Sequence, residues 1–237
     1  MSQKQTRKTA FLETERLELS CIRLDLLAVK ALIANRRQVF NNETAPVRKR
    51  TPFDFGAATY TGRTLLVGEG NFSFSSSLVQ QFPKSANNLY ATCQAKLTDV
   101  SDGVLSVSQA LTKAGAFVGF SVDGTKLYRN FPSRFFSTIV FQFPNAGSRA
   151  SSNGLTASHQ LTCAFLRSAE TVLAIGGQIV ITIVDTNYYH GVSDLKRAAD
   201  LAGFKVESAH PFYRSHYAGY QHSNSGSTPS ALQAFRS

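Results

Sequence analysis

Five short apolar runs, Thr64–Val67, Leu89–Cys93, Phe117–Val122, Phe136–Phe143 and Gln178–Val184, recur along the chain with helix-length segments between most of them. Their length and β-branched content fit strands buried on both faces, since a half-exposed strand would alternate apolar and polar residues. The segments Val104–Ala114 and Leu161–Ile175 are amphipathic, and each runs into glycine, Gly115 in one case and Gly176-Gly177 in the other. Parallel strands need a crossover connection, and helices supply it. The pattern therefore predicts an α/β fold with a mostly parallel sheet and helices on both faces. Two more strands, Lys205–Phe212 and Leu232–Arg236, are expected at one edge.

With 237 residues, 43% of them hydrophobic, the chain can enclose one substantial core. Its formal charge is +10, which attracts polyanions. Residues 1–60 hold eleven basic and six acidic residues. One amphipathic helix is expected between Asp25 and Asn35, and Arg36-Arg37 suit its C-terminal end. The stretch Asn41–Gly62, with Pro46, Arg48-Lys49-Arg50, Pro52 and Gly56, reads as a linker or extended arm. A boundary near Thr61 then divides a basic N-terminal extension, 1–60, from an α/β domain, 61–237. Cys21, Cys93 and Cys163 are odd in number and lack a CxxC pair, so neither a disulfide framework nor a metal site is expected. No run reaches the roughly 18 apolar residues of a spanning helix, and residues 1–10 lead into no signal-peptide block. A soluble, cytoplasmic protein without a membrane partner is the expectation.

The most informative local stretch is Leu65-Leu66-Val67-Gly68-Glu69-Gly70-Asn71-Phe72-Ser73-Phe74-Ser75, a strand that enters a glycine-rich turn and then a helix. Gly68 and Gly70 let backbone approach a ligand where a Cβ would clash, and the helix offers unpaired N–H groups. A carboxylate at Glu69 would repel a dinucleotide's pyrophosphate but can accept from an ammonium or hydroxyl group. S-adenosylmethionine is favoured over NAD on that ground. An ordinary strand-turn-helix is the alternative.

GEGNFSFS resembles the signature of the BMT5-like family, also described as a domain of unknown function 2431, whose Rossmann-like methyltransferases include a 25S ribosomal RNA uridine-N3 methyltransferase. Tyr90-Ala91-Thr92-Cys93 is similar to the family's second strand, Val122-Asp123-Gly124-Thr125-Lys126-Leu127 to its GVDATKL segment, and Ile139–Gly147 to its IIFNFPHxG segment. His159-Gln160-Leu161, Gly177–Thr182 and Tyr217-Ala218-Gly219-Tyr220 follow in the family's order. The resemblance runs from about Arg63 to the C-terminus. It implies a class I methyltransferase fold of seven strands that binds S-adenosylmethionine at the carboxyl ends of the first strands. Gly68, Glu69, Gly70, Asn71, Phe72 and Ser73 would hold the methionine part, with Gln94, Asp123, Gly124 and Phe141 completing the cofactor site. For Asp123, a turn or helix cap is the competing reading.

Phe141-Gln142-Phe143-Pro144-Asn145 ends the fourth strand, where this fold presents its loop to the nucleophile. Gln142 and Asn145 have carbonyls able to orient an acceptor N–H, while Phe143 and Pro144, with Tyr188 and Tyr189, offer surfaces for a planar substrate. Backbone satisfaction by Gln142 and simple packing of the tyrosines are the alternatives. Among His159, His190, His210, His216 and His222, His159 is the first choice for a base. The chain departs from the family with Gln94-Ala95-Lys96 after Cys93, where an acid usually binds ribose, and with Gln142, Asn145 and His159 in place of the usual Asn, His and Asn. The expected activity is N-methylation of a ring nitrogen, with uridine N3 of ribosomal RNA implied by the family. A small heterocyclic or amine metabolite as acceptor, or an inactive binding protein, are the alternatives.

Overall fold

The computed structural model describes residues 47–147, 151–152, 155–184 and 194–222. In chain order the elements are β1 (Val47–Arg48), α1 (Phe55–Thr61), β2 (Thr64–Val67), α2 (Ser73–Gln81), β3 (Leu89–Thr92), α3 (Asp102–Lys113), β4 (Phe117–Gly119), β5 (Phe136–Gln142), β6 (Ser151–Ser152), β7 (Leu155–Thr156), α4 (Ala157–Val172), β8 (Leu173–Thr182), α5 (Leu195–Ala202) and β9 (Ser208–Ala209). Five strands form one sheet in the order β4-β3-β2-β5-β8, and every pairing in it is parallel. The chain starts in the middle at β2, works outward through β3 to β4, and then returns to the other side at β5. This reversal between β2 and β5 opens a crevice at the strands' carboxyl ends, where doubly wound folds bind ligands.

Alternation along the central strands assigns the two layers. Leu65 and Val67 of β2 and Ile139 and Phe141 of β5 face a core built with Phe165 and Leu166 of α4 and Ala198 of α5. Leu66 and Val140 face the opposite core, with Phe55 of α1, Phe74 and Leu78 of α2 and Leu111 of α3. Each fully buried Leu or Phe contributes on the order of 1.5–3 kcal/mol, and continuous apolar strands are what two covered faces require. The fold is α/β and Rossmann-like, as expected.

The seven-stranded sheet is not seen; among the described residues the main sheet has five strands. Of the stretch Lys205–Phe212, only Ser208–Ala209 is a strand, and it pairs with Val47–Arg48 instead of the main sheet. Leu232–Arg236 and the helix expected between Asp25 and Asn35 lie outside the described residues. In the stretch read as a linker, Asp54 caps α1 by accepting the Ala57 N–H at 2.8 Å, and Phe55 is buried against Phe74 with ring centroids 5.2 Å apart. The helix expected to reach Ile175 stops at Val172, because Leu173 enters extended backbone and pairs with Phe136. Gly176, at φ +73°, lies in the bulge that follows, not at a helix cap.

Candidate functional site

The glycine turn leaves β2 at its carboxyl end. Gly68 has φ +73°, and a Cβ there would lie 2.7 Å from the Phe141 ring, so glycine is needed for both conformation and space. Phe141 is buried and packs edge-on to Phe165 at 4.7 Å. The turn after β2 thus packs directly against the carboxyl end of β5. Gly68 and Gly70 are exposed.

Glu69 is turned inward. Its N–H donates to the Thr92 carbonyl at 2.9 Å, and its carboxylate accepts the Ser75 N–H at 3.0 Å and the Ser75 hydroxyl. The carboxylate therefore caps α2 from six residues upstream. Burial pushes its pKa up to about 7 against the lowering effect of the two Ser75 bonds. Phe72 takes left-handed backbone, φ +56°, and is wholly buried edge-on to Phe120 at 5.4 Å. It anchors the turn from beneath. Asn71 Oδ1 accepts the Ser73 N–H at 3.1 Å.

Gln94, at the end of β3, is exposed. Asp123, after β4, accepts from the Thr125 N–H at 2.9 Å and the Thr125 hydroxyl at 2.7 Å, and Lys126 Nζ lies 3.1 Å from its other oxygen. Burial opposes ionisation, but the Thr125 bonds and Lys126 together hold this carboxyl below its ordinary value. Of its two readings, the turn cap is the one these contacts display. Gly124 backs onto β2: a Cβ would come 2.8 Å from Val67 Cγ1.

At the end of β5, Gln142 has Nε2 and Oε1 both buried and without a hydrogen-bond partner. Phe143 follows at φ +49° and donates its N–H to the Thr182 carbonyl at 2.9 Å. Pro144 is half-buried, and the exposed Asn145 accepts the Gly147 N–H at 2.9 Å. His159 is buried in the first turns of α4, where Thr156 Oγ1 accepts its N–H at 3.1 Å and its Nε2 lies 3.4 Å from Cys163 Sγ. Tyr188, Tyr189 and His190 lie outside the described residues.

One component escapes a reading by local motifs. Gln221 is hydrogen-bonded to Asn71 and Ser73 of the glycine turn, and the His222 ring rests 4.7 Å from that of Phe143 on the loop after β5. The aromatic density of residues 210–222 was the available signal. A cleft of about 470 Å³ adjoins the turn, walled by Asn71, Ser73, Ser76, Ser101, Val104 and Gly219. No helix among the described residues is long and apolar enough to cross a membrane, and those residues contain no group of three or more His, Cys, Asp or Glu able to hold a metal ion.

Comparison with known proteins bears on this arrangement. The chain is 31% identical over 172 residues to the mouse ferredoxin-fold anticodon-binding domain-containing protein 1 homolog, a match covering 67% of this chain and 27% of that protein. The human ferredoxin-fold anticodon-binding domain-containing protein 1 gives the same identity, with 67% and 27% covered. The chain thus spans about a quarter of the length of these two relatives. An Arabidopsis thaliana protein, At4g26485, is 35% identical over 171 residues, covering 68% of this chain and 80% of its own. The profile of the BMT5-like family, described as rRNA (uridine-N3-)-methyltransferase BTM5-like, matches residues 65–224. That span takes in the glycine turn, the end of β5 and the clasp at Gln221–His222 on a doubly wound sheet, and the chain belongs to the BMT5-like family of methyltransferases.

Proposed function

We propose that the chain is an S-adenosylmethionine-dependent N-methyltransferase whose acceptor is a ring nitrogen, uridine N3 of ribosomal RNA. The family supports the RNA acceptor. One observation carries the reading of the site: the buried, unpartnered carboxamide of Gln142 at the switch-point end of β5. An amide left unpaired in the interior costs about 1–3 kcal/mol, a cost that a ligand completing its bonds would remove. A carboxamide sets a donor beside an acceptor, the complement of a ring in which an N–H adjoins a carbonyl, as on the imide edge of uracil.

The turn suits the cofactor because Gly68 and Gly70 are exposed and Gly68 lacks the Cβ that would collide with Phe141. When bound, S-adenosylmethionine supplies a methyl group on a sulfonium, which a nucleophile removes by in-line displacement. The chain's task is alignment. Gly68, Gly70 and Asn71 hold the methionine part, while Ser73, Phe72 and Glu69 fix the turn that presents them. Gln94, in the segment after Cys93 where the family usually carries an acid, offers a carboxamide to the ribose hydroxyls. The Asp123-Gly124 turn borders the adenine, and Phe141 floors the crevice. Gln142 and Asn145 orient the acceptor against the apolar surfaces of Phe143 and Pro144. Exposed Arg48, Lys49 and Arg50 favour a polyanionic substrate.

The test is incubation of the full chain with tritiated S-adenosylmethionine, against total RNA and against a small-metabolite extract. Label in RNA that maps to N3 of uridine is expected. Label confined to the extract would replace RNA by a free heterocycle or amine, and no cofactor binding by calorimetry would leave a binding protein without catalysis.

A further inference from the structure

The glycine turn and the acceptor loop are bridged by two consecutive residues. The Gln221 N–H donates to Ser73 Oγ at 2.9 Å, and the Gln221 carbonyl accepts from Asn71 Nδ2 at 3.1 Å. Ser73 Oγ also lies 3.0 Å from that carbonyl and 2.8 Å from Asn71 Oδ1, sharing its one proton between them. The next residue, His222, is half-buried, with its ring edge-on to Phe143 at 4.7 Å and its Nδ1 3.5 Å from the Tyr220 oxygen. Residue 221 is therefore held by the cofactor side of the crevice, and residue 222 stands on its acceptor side.

We propose that His222 is the base that removes the proton from the acceptor ring nitrogen, and that the clasp of Gln221 by Asn71 and Ser73 holds the imidazole in place. The inference rests on the methyl-transfer reading above. An imide N–H is a weak acid, and its nitrogen has no free pair to offer until the proton leaves. In the tautomer that carries its proton on Nδ1, which lies 3.5 Å from the Tyr220 oxygen, Nε2 carries the lone pair, and no described residue bonds it. The proton passes to Nε2, and the pair left on nitrogen forms the bond to the methyl carbon. The carbon–sulfur pair returns to sulfur, leaving a neutral thioether and an imidazolium that releases its proton to water. His159 is not placed to meet an acceptor, because it is enclosed in the α4 core with Nε2 3.4 Å from Cys163 Sγ.

Among the described residues, the groups acting on His222 are few. Arg214 is the charge that acts on it, Tyr220 is the titratable group beside it, and the acceptor loop contributes the apolar Phe143. Burial and then Arg214 hold the imidazole below its usual pKa, so it is neutral and able to accept a proton at pH 7. Burial, opposed by Arg214 and aided by Glu69, pushes Tyr220 up to about 12, so its hydroxyl stays protonated throughout.

The experiment uses the full chain, His222→Ala and His222→Gln, with unmodified ribosomal RNA transcript as acceptor. Single-turnover transfer is measured between pH 5.5 and 9, with and without free imidazole, and S-adenosylmethionine binding is followed by calorimetry. Both variants are expected to bind the cofactor within about twofold of wild type and to lose roughly 100-fold or more in transfer. The acid limb of the wild-type profile should vanish, and imidazole should restore part of the His222→Ala rate. His222→Gln keeps a polar side chain of similar reach, so it carries the test should His222→Ala unfold. A variant as fast as wild type, or one slowed with an unchanged pH profile and no imidazole rescue, overturns the role of His222 while methyl transfer stands. No transfer by the wild-type chain overturns the methyl-transfer reading and this proposal with it.

Discussion

Glu69 and Gln142 place polar groups inside the protein in opposite ways. Glu69 is satisfied by Ser75 yet has its pKa raised to about 7 by burial; in the unfolded chain it returns to near 4.5. Between those values the folded state binds more protons than the unfolded state, so this residue's contribution to stability falls as pH rises from about 4.5 to 7 and is level above. The fall amounts to about 3 kcal/mol. Urea unfolding of wild type and Glu69→Gln across that window should show the wild-type chain losing stability relative to the variant as pH rises; a constant difference would contradict the assignment. Gln142 is the reverse case, unsatisfied in the free protein. Gln142→Met should leave stability unchanged or raise it by up to about 1 kcal/mol, because it removes unpaired groups, yet transfer should fall by at least tenfold. A loss of stability matching the loss of activity would show that the amide serves the fold alone. The sequence placed Glu69 in a glycine turn and Gln142 at a strand end, since both are local features. The inward turn of Glu69 was hidden, because it depends on Ser75 and on packing around the carboxylate that composition does not reveal.

Secondary elements were legible wherever local pattern and packing agree. Thr64–Val67 was read to the residue because three consecutive apolar residues follow a β-branched threonine and the run meets glycine at Gly68. The end of α4 was misjudged by three residues, since Leu173, Ala174 and Ile175 suit a helix as well as a strand and only the pairing of Leu173 with Phe136 decides between them. One polar contact between elements sets the loop after β4: Ser168 Oγ of α4 accepts the buried Leu127 N–H at 2.7 Å. Ser168→Ala would orphan that N–H, at a cost of about 1–3 kcal/mol. Ser106→Ala, on the exposed side of α3, should stay within about 0.5 kcal/mol. Equal effects of the two in thermal or urea melts would show that the Leu127 N–H finds another partner.

At the scale of the whole molecule, the doubly wound order follows from alternating strands and helices, whereas the clasp joins residues 148 and 150 apart in sequence, a distance over which no periodicity carries information. Charge is the other global property. If the acceptor is RNA, as proposed, an excess of ten positive charges drives association through release of counterions, so log K should fall linearly with log salt by about 0.7 per neutralised phosphate on single strands. Arg48, Lys49 and Arg50 are exposed, and the first of them is fixed by the pairing of β1 with β9. If all three contact phosphate, replacing them by glutamine lowers the slope by about 2 and weakens binding most at low salt. Filter binding of ribosomal RNA between 50 and 200 mM salt reads both effects. An unchanged slope would put the phosphate contacts elsewhere on the chain and leave β1 with a structural role, because the charge of this triplet would then remain in water when RNA is bound.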